Sequence, residues 1–422
     1  MKKQLLTIAA LAMTTAVSAQ DIDVSRLSEY DQNAPIGFAA SVTGGEGGQT
    51  VTVENFAQLK AAIQPKSFDK TSKIIYVQGT ITFDGQYEVN GVENKTVIGL
   101  PGATFENMNE DIATSSNDKN AAVKKTGILL LKNCKNIAIR NITFKSAGAC
   151  DFNGNDNLCT QGSTNIWVDH CDFQDGVDGN FDIVNGSDNI SVTWCRFRYL
   201  LPARGKGYGG SSEDHRYTNL IGNGDSQNGD EGKLRTTFAN CWWDDGCRER
   251  MPRVRFGKVH TLNCLYSSSV ANYCVGGGYK SNVYIEACAF TSSNTKKRPW
   301  RNYATSSGKT DYNVTIANCN GAADNQAKSG SIDYFIPANE YTYTAYDASL
   351  VESVVSNANN GAGPTLQFTD PSGIRAMTND RNVKATEYYS LDGRQLSQPQ
   401  HGLNIRMERM ANGQTVTTKV VK

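Results

Sequence analysis

The fold class predicted is all-β: a right-handed parallel β-helix, or solenoid, with capping helices and a small C-terminal β module. Three observations predict it. First, the fragments "IAIRNITF", "WVDHCDF", "VTWCRF", "FANCWW", "TLNCLY", "IEACAF" and "TIANCN" share one pattern: a β-like run, then Asn or Cys, then usually an aromatic two residues on. The shared column is Asn141, Cys171, Cys195, Cys241, Cys264, Cys288 and Cys319, with spacings of 30, 24, 46, 23, 24 and 31 residues. A short unit recurring at such a period cannot bury its apolar face alone and stacks on its neighbours. Second, these runs are rich in Val, Ile, Thr and aromatics, and helical periodicity is absent from them. Third, 422 residues suffice for one large elongated core.

Taken in order, residues 1–19 read as a secretory signal peptide: Lys2 and Lys3, an apolar core, and a small-residue site before Gln20. Residues 20–363 form the β-helix domain, with the solenoid itself over roughly 70–340. "VENFAQLKAAI" at 53–63 places Phe56, Leu59, Ala62 and Ile63 on one helical face and suits an N-terminal cap. "DASLVESVVSNANNGAG" starts from a cap at Asp347, ends near Gly361, and packs back against the solenoid. Residues 364–383 form a linker. Residues 384–422 carry short strands joined by Asp-Gly, His-Gly and Asn-Gly turns. No later apolar run reaches the ~18 residues of a membrane span.

Basic and acidic side chains number 42 each, so a global polyanion binder such as a nucleic-acid protein is excluded and any basic site is local. One such site is "CRERMPRVRFGKVH", with Arg248, Arg250, Arg253 and Arg255. Alternation with Val254 and Phe256 puts Arg253 and Arg255 on one face of a strand. Asp residues crowd 169–188 and recur upstream at Asp156. The spacing fits no EF-hand, but neighbouring coils bring Asp156 beside Asp178 and Asp182, three hard oxygen donors suited to Ca2+. The four histidines have no zinc spacing, and His170 and His260 read as hydrogen-bonded core residues. The column cysteines are expected buried and unpaired. Cys150 with Cys159, and Cys247 with Cys274, are candidate disulfides.

"NIWVDHCDF", "DGNFDI", "GSDNISVTW", "LIGNGD" and "RMPRVRFGKVH", in that order, resemble the family 1 polysaccharide lyases, the pectate lyases, as does "GFAASVTGGEGGQTVTVENFAQL". The resemblance runs from about Gly37 to Gly363. It implies a secreted, Ca2+-dependent enzyme, monomeric, that cleaves polygalacturonate or pectin by β-elimination. It implies Asp156, Asp178 and Asp182 as Ca2+ ligands and Arg250 as the base. It implies Arg255 as support for the substrate or the site, and the adjacent Arg253 is a further candidate for substrate binding. The family's substrate-binding lysine falls on Tyr217 here, beside the inserted "LLPARGKGYGGSSEDHR", so Arg216 or Lys206 is expected to take over the contact. A crowded cationic site beside Ca2+ is expected to lower the pKa of Arg250 and give an alkaline optimum. Two alternatives remain at this level. One is a pectin lyase, which would not need the acid trio; the other is a non-catalytic β-helical polysaccharide binder or adhesin, which would not need Arg250. The C-terminal segment resembles the sorting modules of type IX-secreted proteins.

Overall fold

The structure is a computed structural model that describes residues 34–304, 308, 310–368, 383–390, 393–400, 403–410 and 415–421. The signal segment 1–19 lies outside the described residues. The chain divides into two compact units, residues 1–368 and 369–422.

Among the described residues of the first unit, strands stack into three sheets of eleven, eight and eight members. Every pairing in them is parallel except the last of the long sheet. Each coil between Tyr87 and Phe290 gives one strand to each sheet. Leu129–Lys132, Lys135–Arg140 and Thr143–Ser146 make one coil. Leu158–Gln161, Thr164–Asp169 and Asp172–Gln174 lie in register upon it. The unit is a parallel β-helix, as the repeat predicts. The long sheet begins earlier than residue 70, because Gln49–Val53 already pairs with Lys73–Val77.

Inward-facing side chains form ladders because equivalent positions sit one strand spacing apart, ~4.8 Å. Phe83, Phe105, Phe144, Phe173, Phe197, Trp243, Tyr266 and Phe290 form one continuous aromatic stack, with successive centroids 4.5–5.6 Å apart. The cysteines form a second ladder. The backbone N–H groups of Cys171, Cys241, Cys264 and Cys288 each point at the Sγ of the next member, at 3.3–3.4 Å.

One member of the predicted column moves. The register pairs Arg140 with Asp169 and Asp169 with Thr193, which puts Ile142, not Asn141, level with Cys171 and Cys195. Asn141 belongs to the adjoining corner column with His170, Trp194, Asn240, Asn263, Ala287 and Asn318. All seven have φ between 48° and 61°. That left-handed conformation turns the chain from one sheet into the next, and Asn tolerates it best among residues with a Cβ. The candidate disulfides are corrected too: all eleven cysteines are free. Cys150 packs with Phe152 and Val177, whereas Cys159 packs with Leu130 and Val184, so the two serve separate apolar clusters. Cys247 and Cys274 are both fully buried thiols of the main core.

The N-terminal cap forms over Phe56–Ile63, with the Asn55 side chain accepting from Gln58 N at 3.0 Å and Leu59, Ala62 and Ile63 buried. Asp347 caps a shorter helix than its sequence suggests, a 3-10 turn Ala348–Leu350 followed by Val351–Val355. Its valines pack on the flank of the solenoid against Trp194, Leu265 and Ala289. The antiparallel strand Asn325–Ser329 closes the far edge of the long sheet. In the second unit, Gln395–Leu396, Val383–Tyr389, Leu403–Met410 and Thr415–Val421 form a small antiparallel sheet in that order. No helix among the described residues is long and apolar enough to cross a membrane.

Candidate active site

Asp156, Asp178, Asp182 and Arg250 lie at one corner of the solenoid, where the coils enter the sheet containing Leu158–Gln161, Phe181–Val184 and Arg253–Val254. Backbone bonds run from Asn157 N to Gly179 O (3.2 Å), Asn180 N to Thr218 O (2.9 Å) and Asn219 N to Arg250 O (2.8 Å). Residues far apart in sequence thus lie on successive rungs. Asp156 and Arg250 are placed on the same corner by this stacking alone.

Asp156 is buried, and its Oδ1 has no hydrogen-bond partner. Asp182 Oδ1 accepts from Leu220 N at 2.8 Å. Gly179 keeps the space between them open. A Cβ there would stand 2.7 Å from Asp156 Oδ1 and 3.2 Å from Asp182 Oδ1. Burial, reinforced by the charges of Asp182 and Asp178, raises the Asp156 carboxyl well above its ordinary range. Burial likewise pushes Asp182 up to about 7, against the opposing pull of Arg250. Carboxylates driven this far from their ordinary state, with an orphaned oxygen and a glycine cradle, fit a hard divalent cation such as Ca2+. Asp178 stands at the rim. Among the described residues, the group whose ligand atoms all lie within 4.8 Å of one another is Asp151, Asp178 and His215, rather than the predicted trio.

Arg250 has φ 62° and lies with its guanidinium 4.7 Å from the centre of the Tyr217 ring. Its carbonyl accepts from Thr218 Oγ1. Among the chain's own side chains, the pKa of this residue is set chiefly by burial and by two acids. Burial acts to lower it, but the carboxylates of Asp182 and Asp178 outweigh burial and raise it. Arg253 shifts the other way, lowered by burial and the charges of Arg255 and Arg250. Arg253 stacks on Tyr303 at 4.1 Å. Arg255 donates to Asp225 Oδ1 at 2.8 Å and to the Gly222 carbonyl at 2.9 Å. Val254 between them is fully buried, as the alternation requires.

Tyr217 fills the position where a lysine was expected, and the structure ties both expected substitutes to acids of the inserted segment. Arg216 donates through Nε and a terminal nitrogen to Asp214 at 2.7 and 2.6 Å. Lys206 pairs with Glu213 at 2.9 Å on the surface. Either would have to leave its ion pair to meet a uronate. His170 and His260 are buried. His170 Nδ1 is 2.9 Å from Asp169 Oδ1, and His260 bridges Tyr341 Oη and Glu286 at 2.8 and 3.1 Å.

Sequence reasoning missed two features. His215, in the inserted segment, reaches the rim acid Asp178. "KKRPWR", residues 296–301, supplies a second basic stretch. Arg301 lies in register with Gly276 and, through it, with Arg253. Arg298, Trp300 and Arg301 line a cleft of about 390 Å³ with Asn272 and Tyr273. The density of cations around a tryptophan was the available signal.

Comparison with known proteins agrees with this fold. A family model described as pectate lyase matches residues 5–364. Pectate lyase E of Dickeya chrysanthemi is 28% identical over 396 residues, covering 84% of this chain and 94% of that protein. A pectate trisaccharide-lyase of Thermotoga maritima is 28% identical over 268 residues, covering 59% and 60%. Among solved structures, a Bacillus subtilis pectate lyase mutant superposes with a TM-score of 0.59 at 20% identity, covering 78% of this chain and 97% of the other. Jun a 1, the major allergen from cedar pollen, superposes at 0.57 with 18% identity, covering 81% and 97%. These last two share the fold. With the family model spanning most of the β-helix unit, the chain belongs to the pectate lyase family and is a polysaccharide lyase.

Proposed function

We propose that the protein cleaves α-1,4-linked polygalacturonate by β-elimination in a Ca2+-dependent reaction at the corner holding Asp156, Asp178, Asp182 and Arg250. The observation that carries this reading is the pairing of an electron-rich acid pocket, open at Gly179, with Arg250 on a neighbouring rung. In the reaction the C5 proton, α to the uronate carboxylate, is removed, a C4–C5 double bond forms, and the C4 oxygen leaves with the other half of the chain. Ca2+ held by the three aspartates would supply charge withdrawal from the uronate carboxylate.

The remaining work falls to the chain's own side chains. Tyr217 holds the Arg250 guanidinium in place by cation–π contact. Arg253 and Arg255, on the outer face of the next strand, offer charge to further uronates. Arg298, Trp300 and Arg301 continue that cationic and aromatic surface along the same sheet. Arg250 accepts the C5 proton from its neutral form. The carboxylates of Asp178 and Asp182 favour its charged form. Engaging them as ligands would weaken that stabilisation, and alkaline pH favours the neutral fraction. The same reading includes export through the segment 1–19, and sorting through residues 384–422 as in type IX-secreted proteins.

The test is incubation with polygalacturonate, with and without Ca2+, followed by ultraviolet absorbance of the unsaturated product. Product is expected only with Ca2+, and more at alkaline than at acidic pH. Folded protein that gives no product under any condition refutes the reading. Activity confined to methyl-esterified chains without Ca2+ would make the enzyme a pectin lyase instead.

A further inference from the structure

The inserted segment brings an imidazole to a place where the acid trio does not need one. His215 is 7% exposed, and neither ring nitrogen has a hydrogen-bond partner. Nε2 is 3.3 Å from Asp178 Oδ1 and Nδ1 is 3.5 Å from Asp151 Oδ2. One ligand atom from each of the three residues falls within 4.8 Å of the others. Asp151 is fixed for such a role: its Oδ2 accepts from Ser211 N and Ser212 N, both at 2.7 Å, so the inserted segment itself clamps the carboxylate. The Tyr217 ring, 4.1 Å from the imidazole centre, holds the histidine from the other side.

We infer that Asp151, Asp178 and His215 form a second cation site, selective for a first-row transition ion such as Zn2+ or Co2+, that shares Asp178 with the acid pocket. The donor set decides the selectivity. Imidazole nitrogen with two carboxylates suits these ions, whereas Ca2+ prefers oxygen alone. A buried imidazole with both nitrogens unsatisfied is unfavourable, and one metal bond removes half of that deficit. The rival structure is an ion pair in which a protonated His215 bridges two aspartates and takes no metal.

The experiment uses the full chain, without substrate, in saturating Ca2+, titrated with Co2+ and followed by its visible absorption. Zn2+ retained after dialysis is counted by elemental analysis. One equivalent of Co2+ is expected, displaced by Zn2+, with His215→Gln and Asp151→Asn each weakening Co2+ binding at least tenfold. Thermal unfolding in Ca2+ verifies that both variants are folded. Binding of no Co2+ by the wild type, or equal binding by folded wild type and His215→Gln, overturns the site. Because substrate is absent, neither result bears on the lyase reaction.

Discussion

The neighbours of Arg250 favour its charged form. Two carboxylates outweigh the burial that acts against the guanidinium, and Tyr217 supports it from below. A lysine there keeps the charge but loses the planar fork and the stacking. Arg250→Lys is therefore expected to lower kcat on polygalacturonate by about 10²-fold or more. Its Ca2+ affinity, read by calorimetry, should change little. The acids give a pH prediction of the opposite kind. Folded Asp182 keeps its proton up to about pH 7, whereas the unfolded chain loses it in the ordinary carboxylate range. Its contribution to stability is thus present below that range and lost as pH rises through about 7. Without Ca2+, Asp182→Asn should raise Tm relative to wild type at pH 8 and not at pH 4, by scanning calorimetry. At the level of single residues the sequence offered candidate acids and arginines, because their motifs are short and ordered, and stacking of the coils brings Asp156 and Arg250 to one corner. The direction of the Arg250 pKa shift was not legible, because it depends on which groups the coils stack beside it.

Elements repeat here with little variation, so one altered rung shows what holds the rest. Phe173 lies mid-stack, 4.8 Å from Phe144 and 5.2 Å from Phe197. Phe173→Ala is expected to destabilise the protein by about 3–5 kcal/mol in urea unfolding. In the turn between coils, Gly179→Ala should leave the fold intact. It should weaken Ca2+ binding at least tenfold by calorimetry, since the methyl would stand 2.7 Å from Asp156 Oδ1. Strands and their order were readable because Val, Ile, aromatics and Cys recur at the coil period. The corner was misplaced by one residue at Asn141, since Asn stands at the turn and Cys just inside it in several coils, and Asn141 was aligned with the Cys column. Only the pairing register separates them. The inserted segment 200–216 has no repeat, and so its delivery of His215 to Asp178 had no sequence signature.

At the scale of the molecule, all proposed site residues lie within residues 1–368, and the second unit has its own sheet. A chain ending at Phe368 is expected to keep polygalacturonate cleavage within about twofold of the full chain, measured by the rate of unsaturated product release. The division between a β-helix and a small β module was visible in sequence from the change in turn chemistry after residue 363. The cysteine ladder has a consequence of another sort. Six thiols sit on adjacent rungs, with Cys171 to Cys288 fully buried and Cys319 half-buried at the end. In the finished protein no oxidant or alkylating reagent reaches the inner ones. In the unfolded chain all are open to random cross-linking. Under oxidising conditions folding therefore becomes a race between coil stacking and thiol oxidation, and each coil laid down removes one more competitor from that race.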